Sequence, residues 1–314
     1  MKSGGQATLR RAVHLSGIGV HSGSPVSLII HPAEAGTGIV FIRTALGEPD
    51  REVRATPNAV AATEFATILG DARGAAVATI EHVMAALYGL GIDNAAIELD
   101  GPEVPILDGS AGPFVEAIDA AGLAVLPAPR RYLRVLKPIG VTCGAAYGEL
   151  RPHDGFRIEI DIAFDHPLIG RQAFAQDVDA QVFRRELARA RTFGFTRDVA
   201  RLWKAGYALG ASLENTVVVG DNDILNPEGL RFPDEFVRHK ALDAIGDLAL
   251  AGAPLLGAYR SIRGGHRLNY AVLSALMADA SAWTWVEERE PVRAARGRAA
   301  LSPALQPAFA PDVS

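Results

Sequence analysis

The chain has 314 residues, 49% hydrophobic and 21% charged, which is a globular composition long enough for two domains with substantial cores and excludes a wholly disordered chain. A formal charge of -5 gives no global basic field, so nucleic acid is not an expected partner. The single cysteine, Cys143, rules out an internal disulfide and every CxxC metal knuckle, leaving His, Asp and Glu as the available metal donors.

The N-terminal stretch MKSGGQATLRRAVHLSG has two adjacent arginines but no following apolar run of signal-peptide length, and no later segment reaches membrane-spanning length without charges. The expectation is a soluble, cytoplasmic protein in a reducing compartment, with no transmembrane segment. Strand-like runs follow at residues 25–32 (PVSLIIHP), 38–43 (GIVFIR) and 94–100 (NAAIELD), each bounded by Gly, Pro or Asp. Helices are expected at residues 81–90 and 113–121. The segment LAVLPAPRRYLRV, with Pro127 and Pro129 before a basic pair, reads as a linker, which sets a first α+β domain at 1–126 and a second at 131–285.

The second half has strands near RYLRVLKPIGV and FRIEIDIAF, then helices at residues 180–190, 196–205, 236–250 and 266–278. Residues 286–314 are rich in Ala, Pro and Arg without periodicity and read as a disordered tail. Aligning His82 with His239 brings Gly89 onto Gly246 inside two apolar helices of similar length. This faint repeat suggests two related α+β halves, each giving one helix to a shared site.

On a helical wheel, FVRHKALDAIGDLAL places His239, Asp243 and Asp247 at successive i+4 steps with Lys240 beside them, opposite an apolar face. The plain reading is a solvated stripe. Two details weaken it: His and Asp are mediocre helix formers, and two aspartates at i+4 repel, whereas a His and a carboxylate so spaced can grip one ion. In TIEHVMAALYGLGIDNAAIEL the helix has almost no polar face, yet its first turn carries Glu81 and His82. A buried carboxylate and imidazole need partners. The helix dipole and a backbone carbonyl could serve them structurally. Alternatively, His82 with His239 and Asp243 would make a His₂Asp set that leaves a tetrahedral Zn²⁺ one position for water.

His266 lies behind Gly264 and Gly265 in SIRGGHRLNYAVL, and Thr192 lies in ARTFGFTRD; a turn and a loop threonine bonding its own backbone are the ordinary readings of each. Asp100, Glu103 and Asp108 in LDGPEVPILDGSAGPF read as turn chemistry, with Ser110 capping the next helix. The basic run RRELARAR, residues 184–191, reads as a solvated helix face. HExxH, GxSxG and GxxxxGK[ST] are absent, which removes the corresponding proteases, hydrolases and nucleotidases.

Taken together, TIEHVMAALYGLGIDNAAIEL, PEVPILDGSAGPFV, ARTFGF, SLENTVV, LNPEGLRFPDEFVRHKALDAIGDLAL and GGHRLNY closely resemble the UDP-3-O-acyl-N-acetylglucosamine deacetylases, the zinc amidases of lipid A biosynthesis, in order over residues 8–277. The resemblance implies two similar domains, each a sheet layered against helices with a small insert, and an active site between them. It implies His82, His239 and Asp243 as zinc ligands; a His₂Asp set accepts Fe²⁺ as well as Zn²⁺. It also implies Glu81 as general base, His266 as general acid, Asp247 as the carboxylate that orients His266, and Thr192 and Lys240 as oxyanion or substrate donors.

The stretch FDHP puts Phe164 where family members contact the uridine, and Val20, Phe193, Val199, Ala208 and Val218 match the acyl-chain passage. Two positions depart from many members: Ala66 stands in place of a cysteine and Tyr270 in place of an asparagine, which predicts altered contacts with activity intact. The expected partner is the small-molecule UDP-sugar, bound by a monomer. The alternatives are a metal amidase on a different N-acyl sugar and a non-catalytic nucleotide-sugar-binding homologue.

Overall fold

In PVSLIIHP the apolar residues alternate, and Val26, Leu28 and Ile30 turn one face of strand Pro25–Pro32 into the core. The computed structural model describes residues 4–47, 51–71 and 74–287 of the chain. There this strand sits second in a five-stranded sheet, in the order Val13–Ile18, Pro25–Pro32, Ala95–Leu99, Ile39–Arg43, Glu52–Arg54, antiparallel except for the parallel pair Ile39–Arg43 with Ala95–Leu99. A seven-stranded sheet carries the second half, with Leu255–Ile262 paired to Ala146–Arg151, Arg131–Val135 and Phe156–Ala163. The fold is α+β, and the apolar core runs without a break from the first sheet to the second.

Six α-helices fill the space around the sheets among the described residues: α1 (Glu81–Leu90), α2 (Gly112–Ala121), α3 (Ala180–Val182), α4 (Thr196–Lys204), α5 (Glu235–Leu248) and α6 (His266–Ala278). Helix α1 is buried at every residue but Tyr88 and stops at Gly91, which takes φ 76° and closes the last turn onto the carbonyls of Leu87 and Tyr88. Helix α5 packs against α1 on one side and against Phe156–Ala163 and Arg171–Asp177 on the other. Small inserts complete each half: a three-stranded sheet within residues 60–77, and the parallel pair Phe193–Phe195 with Val217–Val219 enclosing α4. No helix among the described residues is long and apolar enough to cross a membrane.

Four expectations change. The segment read as a linker is strand: Leu123–Pro129 pairs with Gly5–Leu9, so residue 126 lies inside an element of the first half. Its prolines are tolerated because this ladder has only two strands, with Pro127 at an irregularity in the register and Pro129 at its end. Residues 286 and 287 end the last strand, Trp283–Glu287, and the rest of the expected tail lies outside the described residues. The helix expected at 180–190 is a short α turn followed by a π-helical turn, Phe183–Leu187. Arg191 is not on a solvated face: it is buried against Glu235 and also reaches Glu228. The acidic loop is structural as expected, with Asp108 taking Ser110 and Arg231, and the Ser110 hydroxyl accepting the Gly112 N–H at the start of α2.

The two aligned glycines serve different neighbours. A Cβ on Gly246 would stand 2.0 Å from the Glu81 carbonyl oxygen, so this glycine sets the approach of α5 to the first turn of α1; a Cβ on Gly89 would instead strike the Phe183 ring at 2.4 Å. Gly246→Ala is therefore expected to lower stability by about 2 kcal/mol or more in urea unfolding, because the obstacle is backbone and cannot turn aside. An unchanged urea midpoint would show that the helix pair has slack.

Candidate metal centre

The α1–α5 crossing brings together the polar residues that each helix carries on its inner side. His82, His239 and Asp243 each offer one ligand atom, all within 4.8 Å of one another, and all three residues are buried. The imidazoles of His82 and His239 meet edge to face, with centroids 5.1 Å apart. His239 Nδ1 lies 3.0 Å from the Ala190 carbonyl oxygen, an acceptor, so in the neutral ring Nδ1 carries the proton and Nε2 keeps its lone pair. Burial pushes His239 down to about 3, against the pull of Asp243, which keeps the ring neutral.

Asp243 supplies the observation that points to an ion. Its Oδ2 accepts from Lys240 Nζ at 2.9 Å, while its Oδ1 is buried with no hydrogen-bond donor, 3.3 Å from His239 Nε2 and 3.7 Å from His82 Nε2. Burial works against the charge, yet the Lys240 ammonium bonded to it holds this carboxyl well below its ordinary value. An ionised carboxylate oxygen left bare beside two imidazole nitrogens is costly unless a cation fills the space. Two imidazoles and a carboxylate are the donor chemistry of a divalent transition metal, and they fit the expected ligand set.

Two further groups flank the triad. Glu81, in the first turn of α1, is 3% exposed; its Oε2 accepts the Thr67 N–H at 3.1 Å and its Oε1 lies 3.8 Å from His266 Nε2. Burial pushes the Glu81 carboxyl up, while His266 and His82 pull it down. His266, at the start of α6, places Nδ1 2.9 Å from Asp247 Oδ2. Burial opposes its charge, but Asp247 and Glu81 outweigh burial and push His266 up to about 10, so the ring is a cation at neutral pH. The stripe on α5 is thus buried, and its members separate: Asp243 turns to the imidazole pair, Asp247 to His266, and Lys240 to Asp243.

A cavity of about 450 Å³ opens from this cluster, lined by Glu81, His82, Thr192, His239, Lys240 and His266 at its polar end. Its walls include Val20, Phe193, Val199, Ala208 and Val218, all five of the residues expected along an acyl passage, together with Leu202, Trp203 and Leu213. Phe164 does not line it; its ring packs against Phe193 and Phe195. Ala66 is buried and Tyr270 half-buried, and neither lines the cavity. Thr79, next to α1, holds φ 59°, a strained value for a β-branched residue, and its hydroxyl donates to Glu103 Oε1 at 3.0 Å.

Sequence reasoning did not single out Thr67, Thr79 or Asn269. Their partners are far along the chain, and nothing in the local pattern marks them.

Comparison with known proteins gives one consistent result. Residues 6–278 match the LpxC family, described as UDP-3-O-acyl N-acetylglycosamine deacetylase. Proteins named UDP-3-O-acyl-N-acetylglucosamine deacetylase from Brucella ovis, Brucella canis and Brucella melitensis are each 54% identical to the chain over 283 residues, covering 90% of it and 98% of the relative.

For the donor set, His239→Ala and Asp243→Ala are expected to cut bound metal to well under half of the parent's content, measured by elemental analysis after gel filtration, since each removes one of three donors. Full metal content in either variant would remove that residue from the set.

Proposed function

We propose a deacetylation mechanism for this chain, which belongs to the LpxC family of UDP-3-O-acyl N-acetylglycosamine deacetylases. The reaction is hydrolysis of the N-acetyl amide of UDP-3-O-acyl-N-acetylglucosamine, releasing acetate and leaving a free glucosamine amine in lipid A biosynthesis. The observation that carries the site assignment is the bare Asp243 Oδ1 beside His82 and His239, with Glu81 and His266 on its flank. The family is metal-dependent, and we assign the metal as Zn²⁺ held by His82, His239 and Asp243; the same donors accept Fe²⁺. When bound, the ion would supply Lewis acidity toward the attacking water and the amide carbonyl.

The chain's own groups do the proton work in this proposal. Glu81, whose proton affinity burial has raised, takes a proton from the attacking water as its oxygen bonds to the acetyl carbon. Thr192 and Lys240, at the polar end of the cavity, are the donors toward the developing oxyanion. His266, kept cationic by Asp247, gives its proton to the amide nitrogen as the C–N bond breaks. One carbonyl–oxygen bond forms, one C–N bond breaks, and the proton taken by Glu81 balances the one that His266 gives up.

The apolar end of the cavity takes the 3-O-acyl chain, with each buried methylene worth about 0.8 kcal/mol. Val20, Phe193, Val199, Ala208 and Val218 are its proposed sleeve. Phe164, outside this cavity in a cluster with Phe193 and Phe195, is the proposed stacking surface for the uracil ring. The proposal takes the two halves as domains and the protein as a cytoplasmic monomer, a compartment suited to its one free cysteine.

Purified protein is expected to release acetate from the UDP-sugar, to stop on chelation and to recover on Zn²⁺ addition; no release under any condition would sink the enzyme assignment. Glu81→Ala and His266→Ala are expected to keep the metal and lose about 10²–10⁴-fold in kcat, the usual range for a general acid or base. A metal-free variant, or one nearly as active as the parent, would remove that residue from its role.

A further inference from the structure

We propose that Thr67 is the positioning residue that fixes both acid–base groups at once, an inference that rests on the roles given above to Glu81 and His266. Thr67 is 1% exposed, in the turn before the insert strand Ile68–Gly70. Its carbonyl accepts from the Ile80 N–H at 3.4 Å, its own N–H donates to Glu81 Oε2 at 3.1 Å, and its hydroxyl donates to Asp247 Oδ1 at 2.5 Å. One residue of the first half therefore holds the proposed base through its backbone and the partner of the proposed acid through its side chain.

The hydroxyl is the donor in this bond and the Asp247 oxygen the acceptor. The other carboxylate oxygen, Asp247 Oδ2, accepts from His266 Nδ1 at 2.9 Å and from Asn269 Nδ2 at 2.8 Å, and Asn269 is itself held by the Tyr259 hydroxyl at 2.6 Å. Oδ2 is thus fixed from the second half and Oδ1 from the first. The terminal torsion of an aspartate is soft, so a carboxylate held at one oxygen alone can rotate about that contact. Thr67 is β-branched and stiff at χ1, which makes it a firm stop for the rotation. Without the hydroxyl, Asp247 keeps His266 as a partner but not in one orientation. Small displacements of a proton donor from its acceptor are expensive in rate. None of the three Thr67 bonds reaches His82, His239 or Asp243, so the metal donors are untouched.

The test is steady-state acetate release by zinc-loaded, full-length protein, comparing the parent with Thr67→Val, Thr67→Ser, Asp247→Ala and the Thr67→Val/Asp247→Ala double variant. Thr67→Val, which keeps the shape and drops the hydroxyl, is expected to lower kcat about tenfold while KM stays within about twofold, at full metal content. Thr67→Ser should restore kcat to within about threefold of the parent, and Thr67→Val should cost less than about twofold once Asp247 is already alanine. A kcat within about twofold of the parent in Thr67→Val overturns the inference, as does a change confined to KM or a full loss in the double variant. Should the valine variant not fold, Thr67→Ser against Thr67→Ala makes the same comparison without added bulk. An inactive parent overturns the functional reading and this inference with it, whereas an active parent with an indifferent Thr67 overturns this inference alone.

Discussion

The site depends on how closely two helices can approach. Gly246 on α5 lies against the backbone of Glu81 on α1, where any side chain would meet the carbonyl oxygen at 2.0 Å. That approach puts the first turn of α1 opposite the middle of α5, and so sets His82 across from His239 and Asp243. Neither helix carries the donor set alone: α1 has one imidazole, and α5 has one imidazole and one carboxylate four residues apart. A wider crossing would leave two ordinary buried polar clusters, each seeking its own partners.

The same crossing concentrates charge where water is scarce. Glu81, Asp243 and Asp247 are all buried within one helix turn or one helix width of each other. Three carboxylates so placed would repel strongly at the low effective dielectric of an interior. Lys240 on Asp243 and the His266 cation on Asp247 offset two of them, and burial raises the proton affinity of the third, Glu81. The geometry thereby pushes apart the properties of groups that are chemically alike. One carboxylate is held ionised beside the imidazole nitrogens of His82 and His239, one orients a cation, and one is left able to accept a proton. Asp243 Oδ1, buried without a hydrogen-bond partner, faces the nitrogens of both imidazoles.

Much of this was legible in the residues. Helices α1, α5 and α6 follow from apolar periodicity, and the stripe of α5 stands out because His and Asp are poor choices for a solvated helix face. Periodicity could not say that the stripe is buried, since a narrow polar stripe on a wheel looks the same facing water or facing a second polar cluster. What was misread has a shared cause. Leu123–Pro129 reads as linker because prolines mark loops, until Gly5–Leu9 is seen to pair with it from more than a hundred residues away. Arg191 reads as one more basic residue in a run, until Glu235 closes on it. Thr67 and Asn269 carry no local signal, because their meaning lies in Asp247, 180 and 22 residues distant.

The aligned glycines show how two similar halves come to share one site unequally. Gly246 admits a helix backbone, whereas Gly89 admits the ring of Phe183, the first residue of the π-helical turn. That turn leads to Ala190, whose carbonyl takes His239 Nδ1, and then to Arg191, anchored on Glu235 at the head of α5. The space that the first half leaves at Gly89 is therefore occupied by a segment that sets the tautomer of a proposed ligand in the second. Gly89 and Gly246 thus bear on the same centre from opposite ends, one by letting α5 reach Glu81 and the other by seating the chain that orients His239. Substitution at either glycine would disturb the donor set without touching a donor, which is why residues with no chemistry of their own can be as exacting here as the histidines.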